Sequence, residues 1–517
     1  MNENIIAKIS AVVEIEINKD ELDINKLDKK IYKASCKAGR EVFQESLNVI
    51  EKYLLNEKRD KNEVVIHSHK KGNIETLVGA VRYNYTQVKD KSKKTGRKYY
   101  SLLKNYMGIE NHQVISNNVK VKGILKAGEV PYRLASESLD NQVSHSSIRN
   151  WSIEMGKEIE KKEEDYIGEK YKVLDNRGNQ AFVESDGIMI KMQEGKGKKS
   201  EIKLAICYSG REDRYKKSES GQKKLKDKVV YGDICKSEEF IEKASLFFNY
   251  FCNLLSVMYI VILGDGALWI KGFLSVYKWA VYQLDRYHLL EKIRKHFSRK
   301  QDEYEEIKKL IEENKIEEVM RKIKEKICFL QGKLSEYNRR MTEEKVEEEK
   351  ARYKNGISRY EKKITRVENL LTYIKNNKDG INGIDKYKDI FSEDDLVIGS
   401  GGIENSVKNI IGKRMKGQGK CWKTQGARAM VKILVSLSNG WYSFEDYLNI
   451  FSKKEKPLEL SKKPKEKRII SKGKREAYQM EQIYRGNIPS FSPTSSPMGY
   501  FKKGLLAIDC LDILHIN

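Results

Sequence analysis

Tyr259-Ile-Val-Ile-Leu-Gly-Asp-Gly-Ala-Leu-Trp-Ile270 opens as an uncharged, β-branched run and breaks at Gly264-Asp265-Gly266. A short run that is apolar throughout reads as a strand buried on both faces. The open end of such a strand is where an α/β protein presents an acid. Ala181-Phe-Val-Glu-Ser-Asp-Gly-Ile-Met-Ile190 follows the same pattern, with Asp186 mid-strand before Gly187. A third acid, Glu404, follows Gly401-Gly402 at the head of a helix-patterned segment. A single Asp-Gly pair is an ordinary turn. Three acids borne on strand, strand and helix, in that order, point to a metal-dependent phosphoryl-transfer core.

Around these acids the periodicity predicts a connected fold. Ala181–Gln193, Glu201–Tyr208 and Lys228–Gly232 alternate as strands joined by modest turns, an antiparallel meander. The turn Gly195-Lys-Gly-Lys-Lys199 lacks the GxxxxGK[ST] spacing of a phosphate loop and reads as a solvated basic turn. Ser245–Gly264 carries no charge and is long enough to span a membrane. It holds Asn249, Asn253 and two serines, however, and ends in β-branched residues. It therefore reads as a buried amphipathic helix over Glu238–Val257 feeding a core strand over Met258–Leu263. A helix near Ala267–Tyr277 and a strand over Trp279–Leu284 follow. The order βββ-α-β-α-β is that of an RNase H-like fold. Asp233, which also follows a glycine, competes as a metal ligand but sits in a loop after the third strand.

Beyond Asp285-Arg-Tyr-His288 the chain becomes dense in Lys and Glu, without proline, and Ile307, Leu310, Ile311, Ile316, Val319, Met320, Ile323 and Ile327 recur at helical spacing. This predicts an all-α insertion of long helices, serving either as a coiled-coil oligomerisation arm or as a clamp on DNA ends. An α/β pattern resumes at Asp395-Leu-Val-Ile-Gly-Ser-Gly-Gly-Ile-Glu404 and continues as a helix through Lys416. Lys413, Arg414, Lys416, Lys420 and Lys423 accompany Trp422 there, a cationic and aromatic strip beside the third acid.

Upstream, residues 1–60 read as a helical lead-in. Val64–His69 and Leu77–Tyr85 read as a β-ribbon, followed by the basic turn Lys89–Lys98; such a ribbon either grips a phosphate backbone or is solvated. His67 and His69 share a strand face, and without cysteine partners they read as surface histidines. Pro131–Leu139 and Ser144–Ser152 read as two helices around the turn Asp140–Val143, with Ser144 as N-cap. Leu134, Leu139, Val143, Ile148 and Trp151 would make the core of a helix-turn-helix, leaving His145, Ser147, Arg149 and Asn150 toward a DNA groove. The expected domains are 1–60, 61–156, 157–288, 289–394, 395–450 and a basic, poorly ordered tail over 451–517.

Lys+Arg of 100 against Asp+Glu of 75 leave a net charge of +25. Such a balance favours a polyanion, because each neutralised phosphate releases counterions. The seven cysteines are scattered with no CxxC pair, against a zinc ribbon or disulfide framework and in keeping with a reducing cytoplasm. The N-terminus lacks a basic n-region followed by an apolar stretch, so no signal peptide is expected.

Ser185-Asp-Gly, Leu263-Gly-Asp-Gly-Ala-Leu-Trp-Ile270, Leu284-Asp-Arg-Tyr-His-Leu289 and Gly402-Ile-Glu…Arg414-Met-Lys…Gly419-Lys-Cys-Trp422…Gly426-Ala together resemble the DDE transposases of bacterial insertion sequences. The group most like it is the Lre-two type, itself carried as an uncharacterised protein family, with a core related to the Mutator-like superfamily. The resemblance spans roughly residues 60–440. It implies Asp186, Asp265 and Glu404 as the catalytic triad, binding Mg²⁺ or Mn²⁺, and it implies the helical insertion as well. A pair of ions about 3.5–4 Å apart would serve both oxygens of an in-line displacement. Asp285 and His288 match the acid-x-x-His signature of Mutator-like enzymes, implying a supporting role; an Asp N-cap with a satisfied histidine is the plainer reading. Lys413, Arg414 and Lys416 would hold flanking phosphates, and Trp422 would stack a base or fill core.

The expected activity is cleavage at the ends of an insertion element, then joining of the 3′-OH to target DNA. Expected partners are double-stranded DNA (terminal repeats and target) and further copies of the chain at synapsis, at the nucleoid in the cytoplasm and away from membrane. A catalytically dead DNA-binding regulator, an RNase H-like structure-specific nuclease and a coiled-coil structural protein are the alternatives.

Overall fold

Asp23 starts the first helix, its carboxylate accepting from the Asn25 backbone N–H at 2.7 Å, and α1 (Ile24–Tyr53) follows. The computed structural model describes residues 8–15, 23–92, 98–140, 142–168, 180–195, 198–213, 223–254, 257–297, 301–387, 399–440 and 442–451. The expected tail over 452–517, residues 395–398 of the strand before Glu404, half of the turn over 89–98 and residues 169–179 lie outside them.

Two compact units result, with the break between Ile159 and Glu160; the chain returns to the first unit at Gly440. In the first, α1 covers one face of a long hairpin, β1 (Val64–Thr76) and β2 (Gly79–Asp90), with a short third strand, β3 (Tyr99–Tyr100). Leu47, Leu54, Ile74, Val81, Tyr83 and Leu103 form its core. The hairpin is longer than the two strands expected, because the in-out alternation runs on through Lys71 and Asn73 to a turn closed by the Thr76 hydroxyl on the Gly79 carbonyl (2.8 Å). Four more helices follow: α2 (Leu102–Tyr106), α3 (Asn117–Glu129), α4 (Tyr132–Glu137) and α5 (His145–Gly168). Ser144 caps α5 as expected, its Oγ accepting from the Ser147 N–H at 3.1 Å. The small core differs from expectation. Leu134 is 49% exposed, and α3 supplies Val119 and Ala127 against Ala135, Leu139, Val143 and Ile148.

The second unit is built on a five-stranded sheet of β4 (Gln180–Lys191), β5 (Lys199–Tyr208), β8 (Val229–Asp233), β9 (Tyr259–Gly264) and β10 (Val281–Leu284), in the order β10-β9-β4-β5-β8. A small ribbon, β6 (Gly210–Asp213) with β7 (Lys223–Lys226), extends the meander and carries no apolar alternation to announce it. β5 is antiparallel to β4 and β8, whereas β4, β9 and β10 are parallel. Parallel neighbours need crossovers, supplied by α6 (Ser237–Cys252) and by α7 (Phe273–Val276) with a preceding 3₁₀ turn. α6 stops at Asn253, whose φ of 47° only a few residue types adopt readily. Among the described residues no helix is long and apolar enough to cross a membrane.

The expected insertion is helical: α8 (Arg286–Phe297), α9 (Gln301–Glu312), α10 (Ile316–Glu343) and α11 (Glu347–Asn377). Its apolar stripe, from Ile307 through Ile327 to Ile374, joins the core of the sheet. The chain then passes through α12 (Gly401–Ser406), a π turn over Val407–Gly412, α13 (Lys413–Met415) and α14 (Thr424–Asn439). The last described element, α15 (Phe444–Phe451), belongs to the first unit and packs on α3.

Candidate active site

The parallel register brings the first two acids together. Glu184 on β4 stands opposite Leu263 on β9, so two residues on, where β9 has just ended, Asp186 is level with Asp265. Each carboxylate is steadied by its own turn: Gly187 donates its N–H to Asp186 Oδ1 (2.7 Å), and Ala267 donates to Asp265 Oδ1 (3.0 Å). Gly266 is demanded sterically: at φ +94° it lies against the ring of Tyr373, whereas a Cβ at Gly187 would meet only the movable end of the Glu201 side chain.

Glu404 arrives from the far side of the insertion, on α12. Its Oε1 lies 2.6 Å from His288 Nε2. Burial pushes the Asp186 carboxyl above its usual range; the Gly187 amide draws it down, Asp265 and Glu404 push it further up, and His288 opposes them. The three acids and His288 therefore share one electrostatic neighbourhood.

Asp285 does not face that cleft openly. It is 2% exposed, caps α8 by accepting from the His288 N–H (2.9 Å), and accepts from both the N–H and the Oγ–H of Ser400 (2.5 Å each). A second hidden acid completes the mounting. Glu184, fully buried, accepts from the Tyr208 hydroxyl (2.6 Å) and from the Ile403 N–H (2.7 Å). Burial raises its carboxyl, and the Tyr208, Ile403 and Arg211 groups offset part of that rise. The head of the Glu404 helix is thus tied at Ser400 by Asp285 and at Ile403 by Glu184. On the other side Tyr373 of α11 donates its hydroxyl to the Asp265 carbonyl at 2.6 Å, so the insertion buttresses the second acid.

Sequence reasoning does not single out Glu184, Ser400 or Tyr373. Glu184 alone carries a usable signal, because a strand puts residues i and i+2 on one face and Asp186 is itself a candidate. Asp233, the rival acid, is buried against Lys432 (3.3 Å), which also binds Glu163 (2.7 Å). Burial raises the Asp233 carboxyl, but Lys432, Arg428 and the Ile234 amide outweigh it and hold it below its usual range.

An open groove of about 500 Å³ begins at Asp186 and Glu404 and is walled by Lys408, Lys413 and Lys416. A second cavity of about 360 Å³ shares Lys416 and adds Lys191, Lys199 and Lys420. Lys408 is a further cation that the sequence does not single out. Arg414 and Trp422 lie behind this wall, 5% and 7% exposed: the guanidinium sits 5.0 Å over the indole ring, and the indole N–H donates to the Met415 carbonyl (2.9 Å). His145, Ser147, Arg149 and Asn150 belong to the first unit, on the opening turns of α5; His145 and Asn150 are exposed there.

Carboxylate oxygens are the donors a hard divalent cation takes, and the buried Asp186 carboxyl, pushed up first by burial and then by Asp265 and Glu404, is a group that a cation would return to its charged form. Among the described residues no three His, Cys, Asp or Glu stand close enough to hold one ion.

Residues 17–349 match an uncharacterised protein family, UPF0236. Curated relatives occur in Caldanaerobacter subterraneus subsp. tengcongensis. One, a UPF0236 protein whose single name joins many loci from TTE0033 to TTE2212, is 27% identical over 431 residues, 82% of this chain and 80% of the relative. Another, UPF0236 protein TTE2489, is 28% identical over 425 residues, 81% of this chain and 79% of its own length. With well over half its length matched, the chain belongs to the uncharacterised protein family UPF0236.

Proposed function

We propose that the chain is a DDE transposase with an RNase H-like core, cutting DNA at the ends of an insertion element and joining the freed 3′-OH to target DNA. What supports this reading is that Asp186 feels the charges of Asp265 and Glu404: two acids levelled by a parallel register, the third on a helix clamped to the same strand. The strand order supports the fold, with an antiparallel meander β4-β5-β8 continued by parallel β9 and β10.

Asp186, Asp265 and Glu404 would hold Mg²⁺ or Mn²⁺, which when bound supplies Lewis acidity and neutralises charge at the scissile phosphate. The chain's own residues do the rest. Glu184 and Asp285 fix the Glu404 helix, and His288 Nε2 holds Glu404 Oε1 until the site is loaded. Lys408, Lys413 and Lys416 neutralise the phosphates flanking the cleavage point. His145, Ser147, Arg149 and Asn150, at the head of α5 in a helix-turn-helix, would contact duplex DNA. The reaction is two in-line displacements at phosphorus, first by water and then by the released 3′-OH. One relative's many loci under one name fit a gene that copies itself within a genome.

The test is strand cleavage. The purified chain with Mg²⁺ or Mn²⁺ should nick a duplex carrying the sequences that flank its own reading frame, and Asp265→Asn should bind that duplex but leave it intact. Equal cleavage by the variant, or binding without cleavage by the wild type, would overturn the enzyme reading in favour of a DNA-binding regulator.

A further inference from the structure

The β1–β2 hairpin has a second face that the proposed chemistry does not use. Its inner face buries Ile74, Val81 and Tyr83 under α1. Its outer face presents two successive cross-strand pairs, Lys71 opposite Asn84 and Asn73 opposite Arg82. All four side chains are exposed, and among the described residues none of them makes a hydrogen bond or an ion pair. The next pair outward is His69 with Thr86, joined at 3.2 Å. Alternation puts two acids on this face: Glu75, half-buried near the turn, where the chain pairs with residues 114–116, and Asp90, half-buried at the far end of β2.

This set has a specific chemistry. A guanidinium fork and a carboxamide are the side chains that pair in two-pronged fashion with the major-groove edges of guanine and adenine, and a lysine serves guanine as well. Residues two apart on an antiparallel strand are about 7 Å apart, which matches two base-pair steps of about 3.4 Å. Two strands about 4.8 Å apart fit a major groove about 12 Å wide. An anionic lipid surface would need only the cations, and it would leave the two carboxamides without a purpose.

We propose that this face of the β1–β2 hairpin lies in the major groove of duplex DNA and reads base edges, with Asn73 and Arg82 at one step and Lys71 and Asn84 two steps away. The inference rests on the DNA-binding half of the function proposed above, and on none of its catalysis.

Selection from a pool of randomised duplexes by the full chain tests it. The wild type should enrich a motif, and so should Asp265→Asn, whether or not strands are ever cut. Asn73→Ala/Asn84→Ala should keep affinity for unselected duplex within about 2-fold, because phosphate contacts position without specifying, yet lose preference at two or more positions of the motif. On the wild-type motif Arg82→Ala should bind about 10-fold more weakly. Replacing the guanine at its position by 7-deazaguanine should weaken the wild type by a like factor and the variant no further. An unchanged motif from the double variant, or no motif from the wild type, would overturn the proposal. So would Arg82-dependent binding to phosphatidylserine vesicles with no binding to duplex.

Discussion

Replacing Asp285 tests how the third acid is held. Its carboxylate accepts three hydrogen bonds, from the His288 N–H and from the N–H and Oγ–H of Ser400, while only 2% exposed. A hydrogen bond to a charged group contributes about 1.5–3 kcal/mol, and the donors left behind would be buried without partners. Because bonds within one network are not additive, Asp285→Ala is expected to cost about 3–5 kcal/mol rather than the sum. That is a large share of the roughly 5–15 kcal/mol that holds a typical protein folded. Asp285→Asn keeps one acceptor oxygen and turns an NH₂ toward the remaining donors, for about 2–3 kcal/mol. Ser400→Ala, which removes only the hydroxyl, should cost about 1.5–3 kcal/mol. Urea unfolding reads these losses as a fall in midpoint at constant slope. Strand cleavage should fall more steeply than stability, because Glu404 sits four residues beyond Ser400, whereas duplex binding should persist. If Asp285→Asn matched the wild type within about 0.5 kcal/mol and cleaved at the wild-type rate, the tether would not be what positions Glu404.

The raised Asp186 carboxyl has a signed consequence. A carboxyl whose folded pKa exceeds its unfolded value contributes stability that is complete below the unfolded value and is lost as pH climbs through the folded one. Without divalent ions at neutral pH, Asp186→Asn should therefore melt above the wild type, with the gap closing in acid, and Mg²⁺ should raise the wild-type melting temperature alone. Gly266→Ala forces a Cβ to 2.5 Å from Tyr373 at φ +94° and should cost about 1–3 kcal/mol in equilibrium unfolding; Tyr373→Phe, which loses only the bond to Asp265, should cost about 1 kcal/mol. Lys413→Ala/Lys416→Ala should lower the salt slope of DNA binding by about 1 for each phosphate left without its lysine, and an unchanged slope would remove these lysines from the DNA path.

What the sequence determined alone is what short-range periodicity encodes. The apolar run over 259–263, the helical spacing from Ile307 to Ile327 and the cap at Ser144 each act within a few residues, and each appears close to where expected. The same local logic singled out Asp186, Asp265 and Glu404, because acids beside glycines are visible without knowing their neighbours. Tertiary structure decided the rest. That Asp186 stands level with Asp265 depends on a parallel register between strands far apart in the chain. That Glu184 and Asp285 clamp residues 400–403 depends on pairs separated by 219 and 115 positions. The burial of Arg414 and Trp422, exposure of Leu134 and engagement of Asp233 by Lys432 also turn on which neighbour arrives. Local patterning says that a side chain wants burial or a partner, and only the packed chain chooses which one it receives.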